Sequence, residues 1–177
     1  MVRAMGLGIS KRLIEAAIHW AETTASEGLR QGRGLTEPEM KTARDMGVTS
    51  PELIRLVVGP VPMPTDGLLK AAMEGLGIGE EIEGLTLGYA IYLRQEPTGS
   101  RDIFLAHEFR HCYQFTQTDG LASFAADYFD QLVKWGYENP LEIDAREATE
   151  KNLQKIYESL KKRGTPSVIA MQVRGSR

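Results

Sequence analysis

Residues 105–115 read LAHEFRHCYQF, and the reading of this stretch decides the architecture. Phe104, Leu105 and Phe115 supply apolar contacts at helical spacing, while His107, Glu108 and His111 form the pattern H-E-x-x-H. Residues four apart share one face of a helix, so the two imidazoles point into one small volume. Two neutral histidines placed this way can bind a zinc ion from a single rigid element. Glu108, beside the first, is then positioned to act as general base on water at the metal. Gln114 lies on the same face, one turn beyond His111, where it can hydrogen-bond a ligand or fill a polar gap. Cys112 adjoins His111 but points about 100° away around the helix, which suits a core residue. The competing reading is an ordinary amphipathic helix with hydrogen-bonded histidines, Glu108 being a surface carboxylate paired to Arg110 or a lysine.

Working outward, residues 85–94 (LTLGYAIYLR) read as one strand. Leu85, Leu87, Tyr89, Ile91 and Leu93 fall on one face, and Thr86, Gly88, Ala90, Tyr92 and Arg94 on the other. The second face is small at Gly88 and Ala90, which lets a packed helix or an extended substrate approach closely. Residues 54–58 (IRLVV) form a second strand, ended by the proline-rich GPVPMP. Residues 10–28 carry an amphipathic stripe that includes Leu13, Ala17 and Trp20, and LRQGRG (29–34) is the turn after it. Thr36 followed by Glu39 is a capping box, with Pro38 in the first turn of a helix that ends at Gly47. Residues 66–74 make a further short helix. Ser100 or Asp102 can cap the motif helix. Residues 121–135 form another, with Phe124, Tyr128, Leu132 and Trp135 as its packing stripe. Asn139 as cap and Pro140 in the first helical position open the last long helix, to about residue 162.

The fold class expected is therefore α+β: a mostly helical single domain with a small β-sheet and an HExxH active-site helix. N-terminal helices occupy roughly residues 10–47, the sheet and active-site region roughly 54–162, and a tail with the apolar run SVIAMQV residues 164–177. The composition, 42% hydrophobic and 25% charged over 177 residues, is that of a globular domain. A formal net charge of -3 with no dominant basic stretch argues against a nucleic-acid partner. The single cysteine excludes an internal disulfide framework. With no apolar run long enough to cross a membrane and no clear signal-peptide pattern, the expectation is a cytoplasmic protein without a membrane partner.

A catalytic zinc takes three protein ligands and a water. A third histidine at the spacing HExxHxxGxxH would need Gly at position 114 and His at 117, where this chain has Gln114 and Gln117. His19, the remaining histidine, is remote in sequence, which leaves a carboxylate from a later helix. Residues 142–145 read E-I-D-A, and this E-x-x-A setting, with HEFRHCYQF and LTLGYAIYL, resembles the gluzincin class of zinc metallopeptidases and its small, minimal members. The likeness spans roughly residues 85–148. It implies that His107, His111 and Glu142 bind Zn2+, that Glu108 is catalytic, and that a peptide or protein is the substrate. Many gluzincins carry an aspartate after that alanine to support the first histidine; here Arg146 stands there, and Asp144 is a rival ligand, with Glu147 behind it. Glu142 also occupies the position that could complete a capping box with Asn139. Tyr157, Tyr113 and Arg146 are candidates for stabilising a developing oxyanion. The rival function is a zinc-binding protein, silent or latent as a catalyst, with a regulatory or binding role.

Overall fold

Ser10 accepts a hydrogen bond from the Leu13 backbone and opens α1 (Lys11–Gln31), the first helix of a computed structural model that describes residues 10–65, 67–79, 82–97 and 102–162. α1 continues through Leu29–Gln31, a stretch read from sequence as a turn, and stops where the Gly32 backbone is extended. The Thr36 capping box forms as expected and starts α2 (Glu37–Asp45). Gly47 then adopts a positive φ of 103°, closing the helix against the ring of Tyr113. β1 (Arg55–Val58) follows a 3-10 turn over Pro51–Leu53. After it come α3 (Gly67–Gly75), β2 (Gly84–Leu87), β3 (Ala90–Leu93), α4 (Asp102–Thr116), α5 (Leu121–Trp135) and α6 (Pro140–Lys162). The expected α+β class is the one observed: helices predominate around one small sheet. Ser100 and the SVIAMQV run lie outside the described residues.

Residues 85–94 do not form one strand. Gly88 takes a φ of 66°, in the left-handed region that glycine occupies without steric cost, and the chain reverses over Gly88 and Tyr89. This is a two-residue hairpin with glycine first, which pairs Leu87 with Ala90 and Leu85 with Tyr92. The turn changes which side chains share a face. Leu87, Ala90 and Tyr92 pack with Ala21 and Ala25 of α1, whereas Ile91 and Leu93 join Leu56, Leu105 and Phe109 in the core against α4. The small patch at Ala90 is covered by α1: a Cβ on Gly28 would sit 2.9 Å from the Ala90 Cβ. Tyr92 anchors the same helix by donating its hydroxyl to the Thr24 carbonyl at 2.7 Å.

The sheet order is β1-β3-β2, with β1 parallel and β2 antiparallel to β3. The outer side of β1 is bridged by Arg33, which exchanges backbone hydrogen bonds with Leu56. Among the described residues β2 is thus an edge strand, and it lies against α4. Phe109, fully buried, holds α4 to the sheet through the cluster with Ile54, Leu56 and Ile91. Removing such a ring typically costs about 3–5 kcal/mol.

Candidate metal and active site

The spacing His107-Glu108-His111 on α4 does what helix geometry requires: the two rings stand edge to face, with their Nε2 atoms 3.0 Å apart. Glu142 reaches them from the first turn of α6. Its Oε2 is 3.2 Å from His107 Nε2 and its Oε1 is 3.2 Å from His111 Nε2. Asn139 caps α6 by accepting the backbone N–H groups of Leu141 and Glu142, and it leaves the Glu142 carboxylate turned to the histidines. Of the two roles open to Glu142, the cluster is the one it fills. Tetrahedral ligands at zinc–donor distances of about 2.0–2.1 Å lie about 3.3 Å apart. Each observed separation is close to that value, with Glu142 turning a different oxygen to each ring, so two imidazoles and a carboxylate are gathered closely enough to hold a metal ion.

Electrostatics support a cation at this point. Gln114 donates its amide to the Leu141 carbonyl and to Asp144 Oδ2, both at 2.8 Å, so its oxygen faces His111 Nδ1 at 2.8 Å. That nitrogen must carry the hydrogen, and His111 Nε2 turns its lone pair to the cluster. Burial would lower the His111 pKa, but the Glu142 hydrogen bond, the Glu108 and Glu142 charges and Gln114 outweigh it and raise it. Burial likewise opposes ionisation of Glu142, yet its hydrogen bonds with His107, His111 and Tyr128 hold its pKa far below the ordinary carboxylate range. Converging lone pairs and a fixed carboxylate charge call for positive charge, which a metal ion or protons can supply.

Glu108 is buried, not a surface carboxylate. Thr86 of β2 donates its hydroxyl to Glu108 Oε2 at 2.6 Å, and Arg110 pairs with Asp144 instead. The other oxygen, Oε1, rests over Gly84, where a Cβ would come within 2.4 Å of it. Glu108 lines the same cavity as His107, His111 and Glu142. Asp144, the rival ligand, is held in a two-pronged pair by Arg110 and by Gln114, which lower its pKa, and it lies outside the cluster. Among the described residues the one ligand-like cluster is His107, His111 and Glu142; Glu147, exposed and paired with Lys151, and His19, exposed on α1, do not belong to it.

Two residues near the cluster were not assigned there by sequence. Tyr128, read as part of a packing stripe, donates its hydroxyl to Glu142 Oε1 at 2.6 Å and stands edge-on to His111. Burial, then the Glu142 charge, drives its pKa well above the ordinary phenol value, so it remains a donor. The rest of that stripe divides: Phe124 and Leu132 are buried, while Trp135 is 52% exposed. Tyr137, in the 3-10 turn Gly136–Glu138, lines the cavity beside Glu142. Its neighbour on α6, Arg146, donates to the Tyr137 carbonyl at 2.8 Å and pairs with Glu138. Of the oxyanion candidates, Arg146 lines the cavity. Tyr113 instead packs on Gly47 beneath the Arg110 guanidinium, and Tyr157 is not among the lining residues. Cys112 is fully buried, which pushes its thiol pKa up to about 12. Among the described residues no helix is long and apolar enough to cross a membrane. Comparison with protein-family models, with curated proteins and with solved structures finds no match to this chain.

Proposed function

We propose that this protein is a zinc-dependent metallopeptidase of gluzincin type, with His107, His111 and Glu142 as the metal ligands and Glu108 as the general base. The observation that supports it most is the gathering of His107, His111 and Glu142, with the imidazole Nε2 atoms 3.0 Å apart and a Glu142 oxygen 3.2 Å from each, in one cavity with the buried Glu108 carboxylate. A zinc ion there would supply Lewis acidity and lower the pKa of a coordinated water to about 7. The side chains around it have complementary tasks. Thr86 occupies Glu108 Oε2, so Oε1, over Gly84, is the atom that takes the proton of the attacking water and returns it to the leaving amine. Gln114 holds His111 in the ligating tautomer and Tyr128 holds the Glu142 carboxylate, roles that outer partners play around metal ligands. The edge of β2, which carries Thr86 and pairs with no other described strand beyond β3, suits an extended peptide pairing as an added strand. Tyr137 and Arg146 line the cavity where a developing oxyanion could be met.

Metal analysis of the purified protein together with peptide-cleavage assays tests the reading. Wild type should carry one zinc per chain, His107→Ala should lose it, and Glu108→Gln should keep it while cleavage disappears. Zinc-free wild type, or unchanged zinc in His107→Ala, would overturn the ligand assignment. Zinc retained without cleavage of any peptide would instead favour the silent metal-binding protein.

A further inference from the structure

The cavity at the metal ligands, open on one side to solvent, has a volume of about 700 Å³, whereas an apolar cavity of about 150 Å³ suffices to hold benzene. Its chemistry is divided between its walls. α4, α6 and β2 with Glu83 just before it bring the polar groups: Thr86, Glu108, the three ligand side chains, Thr149 and Glu150, with Arg146 tied back to the Tyr137 carbonyl. α1 and α3 contribute only apolar or aromatic side chains, among them Trp20, Leu69 and Met73, and α5 does the same apart from Tyr128. Ala17, Ala21 and Ala125 line it too, and their small side chains keep it wide. A chamber with its polar groups gathered on one side and apolar walls elsewhere matches a ligand with a polar head and a bulky apolar body.

We propose that this chamber takes the apolar part of the substrate, a hydrocarbon group larger than any one amino-acid side chain, attached to the amide that faces Glu108. The hydrolytic step rests on the function proposed above, whereas the affinity of the chamber for hydrocarbon does not need the metal. Such a group has two sources: the acyl chain of an N-acyl amide, or neighbouring apolar side chains of a peptide.

Trp20 lines the chamber, and the only other tryptophan, Trp135, does not. Trp135→Phe therefore leaves one fluorescent reporter in the chamber wall. Neutral N-methyl amides of straight-chain acids, from acetamide to dodecanamide, are titrated into the metal-free and the zinc-loaded protein. The Trp20 emission should change saturably in both forms, with Kd falling about fourfold for each added methylene until the chamber is full. Ala125→Phe should move that plateau to shorter chains. No saturable change, or a Kd independent of chain length, would overturn the proposal. Displacement of the dodecanamide by peptides with consecutive Leu and Phe, but not by Gly-Ser peptides, assigns the group to peptide side chains; no displacement by either assigns it to an acyl chain. Chain-length dependence in a protein that binds no zinc would sink the hydrolase and leave the chamber standing, and zinc with cleavage but no chain-length dependence would do the reverse.

Discussion

Gln114→Leu tests the least visible part of the site. Gln114 is buried and makes three contacts at 2.8 Å: to His111 Nδ1, to the Leu141 carbonyl and to Asp144 Oδ2. Leucine has about the same volume and fills the space without replacing any of them. Asp144 keeps Arg110, and the Leu141 carbonyl belongs to the first turn of α6, so the group left worst is His111 Nδ1–H, buried with no acceptor. An orphaned buried donor costs about 1–3 kcal/mol, and the tie between α4 and α6 about 1 kcal/mol more. The metal-free variant should thus lose about 2–4 kcal/mol, lowering its melting temperature by about 5–15 °C at roughly 2–4 °C per kcal/mol. With His111 released from its ligating tautomer, zinc should bind about 10–100-fold more weakly. Calorimetric melting of the metal-free protein and zinc competition against a chromogenic chelator measure the two effects separately. Gln114→Glu is the companion: it can accept from His111 but cannot donate, and it sets a second carboxylate beside Asp144. It should keep more of the zinc affinity than Gln114→Leu while losing stability. If Gln114→Leu melts lower but binds zinc as tightly as wild type, the claim that Gln114 sets the His111 tautomer is wrong.

Gly84→Ala would place a Cβ within 2.4 Å of Glu108 Oε1, about 1 Å short of an ordinary contact. A displaced base can cost about 100-fold in rate, so peptide cleavage should fall by that order with zinc content unchanged, as steady-state kinetics and metal analysis would reveal. Zinc affinity should weaken as pH falls, because a protonated His111 cannot ligate. Its raised pKa brings the onset of competition above the usual histidine range near pH 6.5, and zinc titrations from pH 8 to pH 5 would detect it. Asp144 has a depressed pKa, so its pairing with Arg110 stabilises the fold above about pH 4 and is lost as pH falls through the lower folded-state value. Asp144→Asn should therefore reduce stability at pH 7 and matter progressively less as pH falls below about 4, with an effect kept under about 1 kcal/mol because the pair is partly exposed. Tyr128→Phe should weaken zinc binding about tenfold by freeing the Glu142 carboxylate, and an unchanged affinity would remove Tyr128 from the metal's support.

The parts of this protein that were legible in the sequence are those fixed by neighbours along the chain. H-E-x-x-H on a helix needs only the 3.6-residue repeat to bring His107 and His111 together. Thr36 with Glu39, and Asn139, announce helix starts because a cap accepts from a backbone N–H two or three residues ahead. The alternation in LTLGYAIYLR was misleading because a two-residue turn keeps the rhythm of apolar residues while exchanging the faces. Only the conformation of Gly88 reveals the reversal, and a glycine in that position was equally consistent with close packing.

Tertiary structure decided the rest. Glu142 and Asp144 stand two residues apart with the same chemistry; which one meets the histidines depended on α6 crossing α4 so that Arg110 and Gln114 captured Asp144. Tyr128 shares the spacing of core residues Phe124 and Leu132, and only the approach of α6 gave its hydroxyl a carboxylate to bond. Glu108 became buried because hairpin β2–β3 set Thr86 and Gly84 against α4, twenty-two residues away in the case of Thr86. The H-E-x-x-H residues were determined by sequence alone, since a helix repeats locally. The third donor, the tautomer of His111 and the walls of the chamber were decided by packing, since each depends on segments that meet only after the chain has folded.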